Sequence, residues 1–340
     1  MTDSNMEDLL GRKVVKEDRE LIGGFLKNKK VLITGGAGSI GSEIARQVLG
    51  YNPKKLILLD QNEFGVYQIE ESLVKEFPGV VKTCLSDIKD LKILNKIFAK
   101  EKPEVVFHAA AYKHIPIVED NLEMAFANNV CGTRNVLDAS KEFGVKKVIL
   151  ISSDKAVQPK SFMGKTKKLV EILGHSYHQT FGLEVLAVRF GNVLNSSGSV
   201  IPLFLKQIEN GGPVTVTHQE MERYFMSIRE ACLLVLEVAA IGQGGTTYVL
   251  DMGKPVKIKN LAEKMIKFSG KDVEIKYTNV RLGEKILEKL FEDSESLKKT
   301  SQRKISMVIS SKKLPSLEEV LGYLDRVKES GDVSFIEKII

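Results

Sequence analysis

The sequence predicts a doubly wound parallel α/β sheet followed by a smaller α/β unit, and three observations lead to this fold class. Six short segments rich in Val, Ile and Leu recur through the first half of the chain. Amphipathic stretches such as SIGSEIARQVLGY and NVLDASKEFG separate them. A glycine-rich turn follows the first segment. Alternation of strands and helices is typical of parallel βαβ units with right-handed crossovers.

The predicted strands are nearly continuous apolar runs, as expected for strands that helices cover on both faces. They span residues 30–35, 55–60, 80–87, 104–110, 146–152 and 184–190. After Asn192, GGPVTV predicts a turn and a strand, and TTYVLDMG predicts another strand. IREACLLVLEVAAIG and IKNLAEKMIKFSG predict helices, and the tail beyond Leu297 is expected to be partly helical. We therefore divide the chain into a leader (1–28), a first domain (29–192) and a second domain (193–340) partly interleaved with the first.

Composition narrows the class of protein. With 340 residues, of which 43% are hydrophobic, the chain can form about two domains with sizeable cores. The net charge of +6 is spread along the chain, so we expect no nucleic-acid partner but a site that suits an anionic small molecule. Cys84, Cys131 and Cys232 are far apart, which favours a reducing compartment.

Targeting and metal-binding signals are absent from the sequence. No apolar segment follows the polar N-terminus, and no stretch approaches the length of a membrane span, so we expect a cytoplasmic protein without a membrane span. No group of carboxylates and histidines has the spacing of metal ligands, so we predict no metal.

The turn after the first strand, LITGGAGSIGSE, predicts a dinucleotide site. Gly36, Gly38 and Gly41 satisfy G-x-G-x-x-G, and Gly35, Gly38 and Gly41 satisfy a related spacing. Glycine permits the tight turn and the close approach of a pyrophosphate, and the following helix presents free N–H groups. The predicted pyrophosphate contacts are Gly35, Gly38, Ser39, Ile40 and Gly41.

Acidic residues at the ends of the next two strands extend this prediction. Asp60 lies 19 residues past Gly41, where a carboxylate can accept hydrogen bonds from ribose hydroxyls. The stretch DQNEFG contains no Arg to bind a 2′-phosphate, which favours NAD over NADP. Asp87 is placed to meet the adenine edge, although a strand-end turn acid is the alternative interpretation. Ile88, Ala109 and Ala110 complete the predicted cofactor contacts.

Candidate catalytic residues follow the fifth strand. Ser153, Asp154 and Lys155 come directly after it, and ligands bind at the carboxyl ends of strands in open α/β sheets. Met163 and Lys167 are four residues apart on the next helix and share a face. Many dinucleotide-dependent enzymes carry tyrosine where Met163 stands, so the proton carriers must be found elsewhere. Lys167 can bind the nicotinamide ribose.

Residues from about 10 to 295 resemble the UDP-N-acetylglucosamine 4,6-dehydratases, which are extended short-chain dehydrogenases/reductases with a Rossmann fold. The matching stretches are TGGAGSIGSE, HAAAYKHIPIVEDN, NNVCGTRNVL, SSDKAVQPKSFMGKTK, RFGNVLNSSGSVIPLF, MERYFM and RLGEK. The leader LLGRKVV resembles the linker that precedes the catalytic domain of larger membrane-bound relatives.

The resemblance implies a reaction that is redox-neutral overall. NAD takes hydride from C4 of the hexose, H5 becomes acidic, water leaves across C5 and C6, and hydride returns to C6. It implies that Lys155 is the base at C5 and that Asp154 is the acid toward O6. Either Ser153 or Asp154 would handle the O4 proton. Some members of this family carry methionine at the position of Met163, where it would fill the space of the tyrosine.

The resemblance also implies a UDP-N-acetylglucosamine site and a homo-oligomer. Arg223 and Arg281 match positions that hold diphosphate or ribose, and Glu284 would order Arg281 or a ribose hydroxyl. His114 is either a second proton carrier or an ordinary packed histidine. The expected substrate contacts are Lys113, His114, Asn192, Ser197, Ser199, Arg223, Arg281 and Glu284. The expected dimer faces are the helices around 119–142 and 162–181.

Two other functions remain open at this point. A UDP-sugar 4-epimerase or reductase could use the same scaffold, although the consecutive Asp154 and Lys155 favour the expulsion of water. A catalytically silent NAD or nucleotide-sugar sensor would explain the missing tyrosine. The sequence favours retention of configuration at C5 over inversion.

Overall fold

The computed structural model describes residues 17–194 and 196–340, so the leader stretch LLGRKVV lies outside the described residues. The strands are β1 (Lys30–Thr34), β2 (Lys55–Asp60), β3 (Val81–Leu85), β4 (Val105–His108), β5 (Lys147–Ile151), β6 (Glu184–Arg189), β7 (Asn192–Val193), β8 (Val214–Val216), β9 (Glu222–Arg223), β10 (Phe225–Met226), β11 (Thr246–Leu250), β12 (Val256–Lys257), β13 (Ile275–Tyr277), β14 (Glu295–Lys299) and β15 (Ile305–Ser310).

The α-helices are α1 (Arg19–Leu26), α2 (Ser39–Leu49), α3 (Glu63–Ile69), α4 (Leu91–Glu101), α5 (Ile115–Glu119), α6 (Leu122–Phe126), α7 (Gly132–Glu142), α8 (Phe162–Phe181), α9 (Val200–Glu209), α10 (Ile228–Ile241), α11 (Ile258–Ser269) and α12 (Leu317–Ser330). Short π-helical segments extend α3 (Glu70–Val74) and join α6 to α7 (Ala127–Cys131). Two 3₁₀ turns span Asp154–Ala156 and Val333–Lys338.

The central sheet has nine strands in the order β3–β2–β1–β4–β5–β6–β11–β15–β14. The first seven in this order run parallel, and β15 and β14 form an antiparallel hairpin at the edge. The strand order reverses between β1 and β4, which is where open sheets of this type bind ligands. The predicted fold class is confirmed, and all six predicted strands are present with slightly shorter bounds.

Helices cover both faces of the sheet, and the alternation of side chains along each strand divides the core between them. Val31 and Ile33 pack on one face with residues of α1, α2 and α10. Leu32 packs on the other face with residues of α4, α7, α8 and α12. Because both sides of β1, β2, β4, β5 and β6 are buried along most of their length, these strands consist of apolar runs and not of alternating polar and apolar residues.

A smaller unit has its own core. Helices α9 and α11 pack against the paired strands β8 and β13, with Phe204, Val214 and Leu261 among the buried residues. The stretch TTYVLDMG forms β11 in the central sheet, and the helix that follows Ser227 is α10, which packs on α2. Much of the segment after residue 193 thus packs in or on the central sheet. The elements concerned are β11, β14, β15, α10 and α12. The domain boundary at residue 193 therefore stays a proposal.

The C-terminal segment packs on the helices for which the sequence predicts an oligomer contact. Helix α12 contacts α8, and the turn at Val333–Lys338 contacts both α6 and α8. Part of the expected dimer face is therefore covered by the chain itself, and the homo-oligomer stays a prediction. Among residues 17–194 and 196–340, no helix combines the length and the apolar character needed to cross a membrane.

Candidate active site

The glycine turn between β1 and α2 is shaped by close backbone approaches. A Cβ atom on Gly41 would lie 2.1 Å from the carbonyl oxygen of Gly35, and one on Gly35 would lie 2.7 Å from the amide nitrogen of Ala110. Gly35 also has a positive φ of 67°. Gly38 caps α2 without a side-chain hydrogen bond, so the first amides of this helix are free to bind an anion.

Asp60, at the end of β2, supports the glycine turn. Its Oδ2 accepts a hydrogen bond from the amide of Ala37 at 3.0 Å, and its Oδ1 accepts one from the amide of Asn62 at 3.0 Å. A carboxylate oxygen can accept more than one hydrogen bond, so these contacts leave capacity for ribose hydroxyls. The ribose contact stays a prediction.

A cavity beside this turn is lined by residues from the ends of β1, β2, β3 and β4, among them Gly35, Asp60, Ile88, Ala109 and Ala110. The Ser86 hydroxyl, which lines the same cavity, is buried and has no hydrogen-bond partner among the described residues. Asp87 instead pairs with Lys89, whose Nζ lies 2.8 Å from Oδ2. The glycine cradle and an orphaned hydroxyl fit a dinucleotide, while the adenine contact of Asp87 stays a prediction.

His108 and Lys167 lie together under the carboxyl edge of the sheet. Nδ1 of His108 hydrogen-bonds Thr34 at 2.7 Å and Nε2 hydrogen-bonds Thr133 at 2.8 Å. Burial, together with the charge of Lys167, lowers the pKa of His108 to about 3. Burial also lowers the pKa of Lys167 to about 8, and its Nζ donates to the carbonyl of Ile151 at 2.7 Å. His108 is therefore a neutral structural group that the sequence analysis did not single out.

The stretch after β5 forms a tight 3₁₀ turn that brings the three candidate catalytic residues together. Ser153 begins the turn and its Oγ donates to Oδ1 of Asp154 at 2.8 Å. Nζ of Lys155 donates to the same Oδ1 at 3.0 Å and to Oδ1 of Asn192 at 3.2 Å. Asp154 is fully buried, and its Oδ2 has no hydrogen-bond partner among the described residues. These four residues form one hydrogen-bonded cluster.

Met163 does not join this cluster. Its side chain is 2% exposed and packs in the core on the α8 face of the sheet. This packing is consistent with the interpretation that it fills space, and a thioether carries no proton to transfer.

The loop before α9 reaches the glycine turn and the loop after β4. The Ser197 amide donates to Oγ of Ser39 at 3.1 Å. The imidazole of His114 packs so closely on Gly198 that a Cβ there would lie 2.3 Å from Cε1. Ser199 caps α9 without a side-chain hydrogen bond, and its buried Oγ has no partner among the described residues. Burial and the charge of Lys113 lower the pKa of His114.

The predicted substrate arginines differ in their surroundings. Arg223 is 8% exposed, and its Nη1 donates to the carbonyls of Glu222 at 2.7 Å and Ile286 at 3.1 Å. Arg281 is exposed, and its backbone amide lies 3.4 Å from Oε2 of Glu284. Lys113 lies on the loop after β4 with much of its side chain exposed, and the partial desolvation of its amine, together with the charge of Lys155, lowers its pKa.

Two residues near the catalytic turn were missed by the sequence analysis. Glu288 is buried and lies 3.8 Å from Nζ of Lys155. Nζ of Lys285 donates to the carbonyl of Val157 at 2.6 Å and lies 3.5 Å from Oε2 of Glu288. Lys285 ends the motif RLGEK, and Glu288 follows it by three residues. Their positions depend on the path of an irregular segment across the edge of the sheet, and the local sequence contains no signal for that path.

The reversal of strand order, the glycine turn and the cluster of Ser153, Asp154, Lys155 and Asn192 at the carboxyl edge are consistent with one class of protein. This is an extended short-chain dehydrogenase/reductase scaffold of the nucleotide-sugar dehydratase and epimerase type. The X-ray structure of Pen from Bacillus thuringiensis shares the fold with a TM-score of 0.78 and 30% identity, covering 90% of this chain and 98% of that one.

The chain belongs to the family described as polysaccharide biosynthesis protein, which matches residues 31–310. The capsular polysaccharide biosynthesis protein CapD of Staphylococcus aureus is 48% identical over 296 residues, which are 85% of this chain and 49% of that protein. The chain thus spans about half the length of this curated relative. A UDP-glucose 4-epimerase of Rickettsia rickettsii is 34% identical over 279 residues, 80% of each chain.

Proposed function

We propose that this protein is a UDP-N-acetylglucosamine 4,6-dehydratase that forms a UDP-4-keto-6-deoxy-N-acetylhexosamine. The observation that carries the proposal is the pair formed by the buried Asp154 and the partly exposed Lys155, joined at 3.0 Å beyond the end of β5. Elimination of water needs an acid and a base side by side, and in this proposal Asp154 supplies the acid and Lys155 supplies the base. The family membership of the chain supports the same conclusion.

The cofactor of this proposal is NAD. Gly35, Gly38 and Gly41 would hold the pyrophosphate, Asp60 the adenosine ribose and Lys167 the nicotinamide ribose. NAD, when bound, supplies the oxidation of C4 and the reduction of C6. The Asp60 carboxylate would repel a 2′-phosphate, which favours NAD over NADP.

Lys155 removes the proton at C5 in this proposal. Its side chain is 17% exposed, so a substrate can reach Nζ while most of the side chain is shielded from water. Asp154 and Asn192 hold the nitrogen in place. When the neutral amine takes the proton with its own lone pair, it becomes an ammonium beside Asp154, and the electron pair of the C–H bond moves toward the C4 carbonyl.

Asp154 gives a proton to the departing O6. Its buried Oδ2, which has no hydrogen-bond partner among the described residues, is the oxygen that would carry this proton, and the substrate would have to reach it inside the site. The C6–O6 bond then breaks with its electron pair on oxygen, and water leaves. For the O4 proton, Ser153 and Asp154 both remain candidates, since they share a hydrogen bond of 2.8 Å.

The UDP group would bind between the two units of the chain. The uncapped start of α9 at Ser199 offers free amides to a phosphate, and Arg223 offers its guanidinium. Ser197, Lys113 and His114 lie on the loops beside this helix start. Arg281 and Glu284 would contact the ribose.

A 4-epimerase acting on a UDP-sugar is the second candidate, favoured by the Rickettsia relative named above. The two candidates differ in whether water is lost. Incubation with UDP-N-acetylglucosamine in deuterated water, followed by NMR, distinguishes them: a dehydratase gives a 6-methyl group with deuterium at C5, and the coupling constants report the C5 configuration. An epimerase leaves C6 oxygenated and C5 protonated. A silent binding protein gives no product at all.

The base assignment is tested with Lys155→Ala. We expect H5 exchange to be abolished while the dissociation constant for NAD stays within twofold of the parent, because Lys155 lies beyond the dinucleotide cavity. Lys160→Ala is the control, since Lys160 is an exposed lysine of the same loop. Exchange at the parent rate in Lys155→Ala would show that another group is the base.

A further inference from the structure

The segment from 281 to 294 has no regular secondary structure, yet it is fixed against the catalytic turn. Nζ of Lys285 donates to the carbonyl of Val157, and the carbonyl of Ile286 accepts hydrogen bonds from the amide of Glu222 at 3.0 Å and from Nη1 of Arg223 at 3.1 Å. These contacts hold the side chain of Glu288 in the site, where it is 3% exposed.

Three cations from three segments surround the carboxylate of Glu288. Lys155 and Arg223 face Oε1 at 3.8 and 4.0 Å, and Lys285 faces Oε2 at 3.5 Å. These separations are longer than ordinary hydrogen bonds, and Oε2 has no hydrogen-bond partner among the described residues. A buried carboxylate that has cations nearby but no close partner contributes little to the stability of the fold, because the cost of its desolvation is not offset. Its position, between the proposed base and the proposed phosphate ligand, indicates a role in the reaction.

We propose that Glu288 is a positioning residue, which holds the amine of Lys155 toward C5 and balances the positive charge that this amine gains on taking the C5 proton. The inference rests on the proposed function. The proton moves from C5 to Nζ, the C–H electron pair stays with the substrate, and Glu288 itself neither gains nor loses a proton. Asp154 and Asn192 accept hydrogen bonds from Nζ of Lys155, and Glu288 adds a third acidic or polar group at 3.8 Å from the same nitrogen.

Arg223 has other partners and should be little affected by a change at Glu288. Its guanidinium keeps the carbonyls of Glu222 and Ile286 as acceptors. The proposal therefore predicts a loss in kcat with little change in KM, whereas general damage to the segment would alter both.

The first test compares Glu288→Gln with Asp293→Asn. Both exchange a carboxylate for an amide on the same segment, but Asp293 is 75% exposed and pairs with Lys289 on the surface. Turnover of UDP-N-acetylglucosamine is followed by NMR from pH 6 to pH 9. For Glu288→Gln we expect kcat at the alkaline plateau to fall about tenfold, the size of an ion-pair effect at this separation under strong screening. KM should stay within twofold.

The acidic limb of the pH profile should also move to lower pH in Glu288→Gln, because loss of the negative charge makes the Lys155 ammonium less stable. The other charged groups that influence Lys155 are Asp154, Lys113 and Lys285, and all are unchanged in this variant. Glu288→Asp, which keeps the charge, should recover at least a third of the parent kcat. Equal kcat and pH profile in Glu288→Gln and Asp293→Asn would overturn the proposal.

Two further measurements keep the proposal decidable. If Glu288→Gln does not fold, Glu288→Ala takes its place because it also removes the charge, and a kcat and pH profile equal to those of Asp293→Asn would then refute the role. If the parent makes no keto sugar, the proposed function fails, but trace acetylation of Lys155 in the presence of NAD still tests the contact. Mass spectrometry should show several-fold faster labelling in Glu288→Gln than in Asp293→Asn, and equal labelling would overturn the inference.

Discussion

Replacement of Arg189 by methionine should cause a large loss of stability. Arg189 ends β6 with 2% of its side chain exposed. Its Nε and Nη2 donate to Glu171 at 2.8 and 2.7 Å, and its Nη1 and Nη2 donate to Glu295 at 2.7 and 3.1 Å. Arg189 thereby ties the edge strand β14 to helix α8, directly beside Ser152 and the catalytic turn.

The magnitude follows from what the substitution leaves behind. Glu171 and Glu295 are each 5% exposed, so removal of the guanidinium leaves two buried carboxylates close together. Ser152 still donates to Glu171 at 2.6 Å, and Lys168 lies 3.8 Å from Glu295, which offsets part of the loss. Removing one partner of a buried ion pair lowers the free energy of unfolding by about 3–5 kcal/mol, which is a large fraction of the ~5–15 kcal/mol typical of protein domains.

Urea unfolding followed by circular dichroism measures this loss. Arg326→Met serves as the control, because Arg326 is exposed on α12 and, among the described residues, its guanidinium contacts its own helix, donating to the carbonyl of Gly322 and lying over the ring of Tyr323. The triple variant Arg189→Met, Glu171→Gln, Glu295→Gln removes all three charges and should regain at least half of the lost stability. A loss below about 1 kcal/mol in Arg189→Met, or a triple variant no more stable than the single one, would refute the account of the buried pair.

The remaining predictions concern the cofactor loop and pH. In Gly41→Ala the new Cβ would lie 2.1 Å from the Gly35 carbonyl oxygen, so the turn must shift, and we expect NAD affinity by calorimetry to fall at least ~100-fold. Gly24→Ala, with no atom within 4 Å of its Cβ, should leave affinity unchanged. The unfolded chain binds a proton at His108 near pH 6.5 but the folded protein only near pH 3, so the stability that the neutral ring contributes above pH 6.5 is lost as pH falls through this window. His108→Gln should remove up to ~1.4 kcal/mol per pH unit from that slope in urea titrations between pH 6.5 and 4; parallel slopes for the parent and His108→Gln would contradict the assignment.

The strands and the glycine turn were predictable because their signals are local. The apolar runs of β1, β2, β4, β5 and β6 reflect burial on both faces, and that burial is visible in any short window of sequence. The glycines are required by contacts within a few residues, as between Gly41 and Gly35. Ser153, Asp154 and Lys155 could be placed at the sheet edge because ligands gather where parallel strands end.

The partners of those residues could not be predicted in the same way. Glu288 reaches Lys155 through a segment without regular structure, and no periodicity marks such a path. The stretch that forms β11 could be identified as a strand, but its pairing with β6 could not, since register between distant strands is set by packing of the whole sheet.

The sequence alone determined the doubly wound α/β fold of this protein, and it predicted a dinucleotide site and an acid–base pair behind the fifth strand, because backbone turns and strand burial are short-range properties. Tertiary structure alone decided which charges meet: Arg189 with Glu171 and Glu295, and Lys155 with Glu288. Charged side chains find buried partners only after the chain has closed around them, and the balance of desolvation and attraction depends on the final distances.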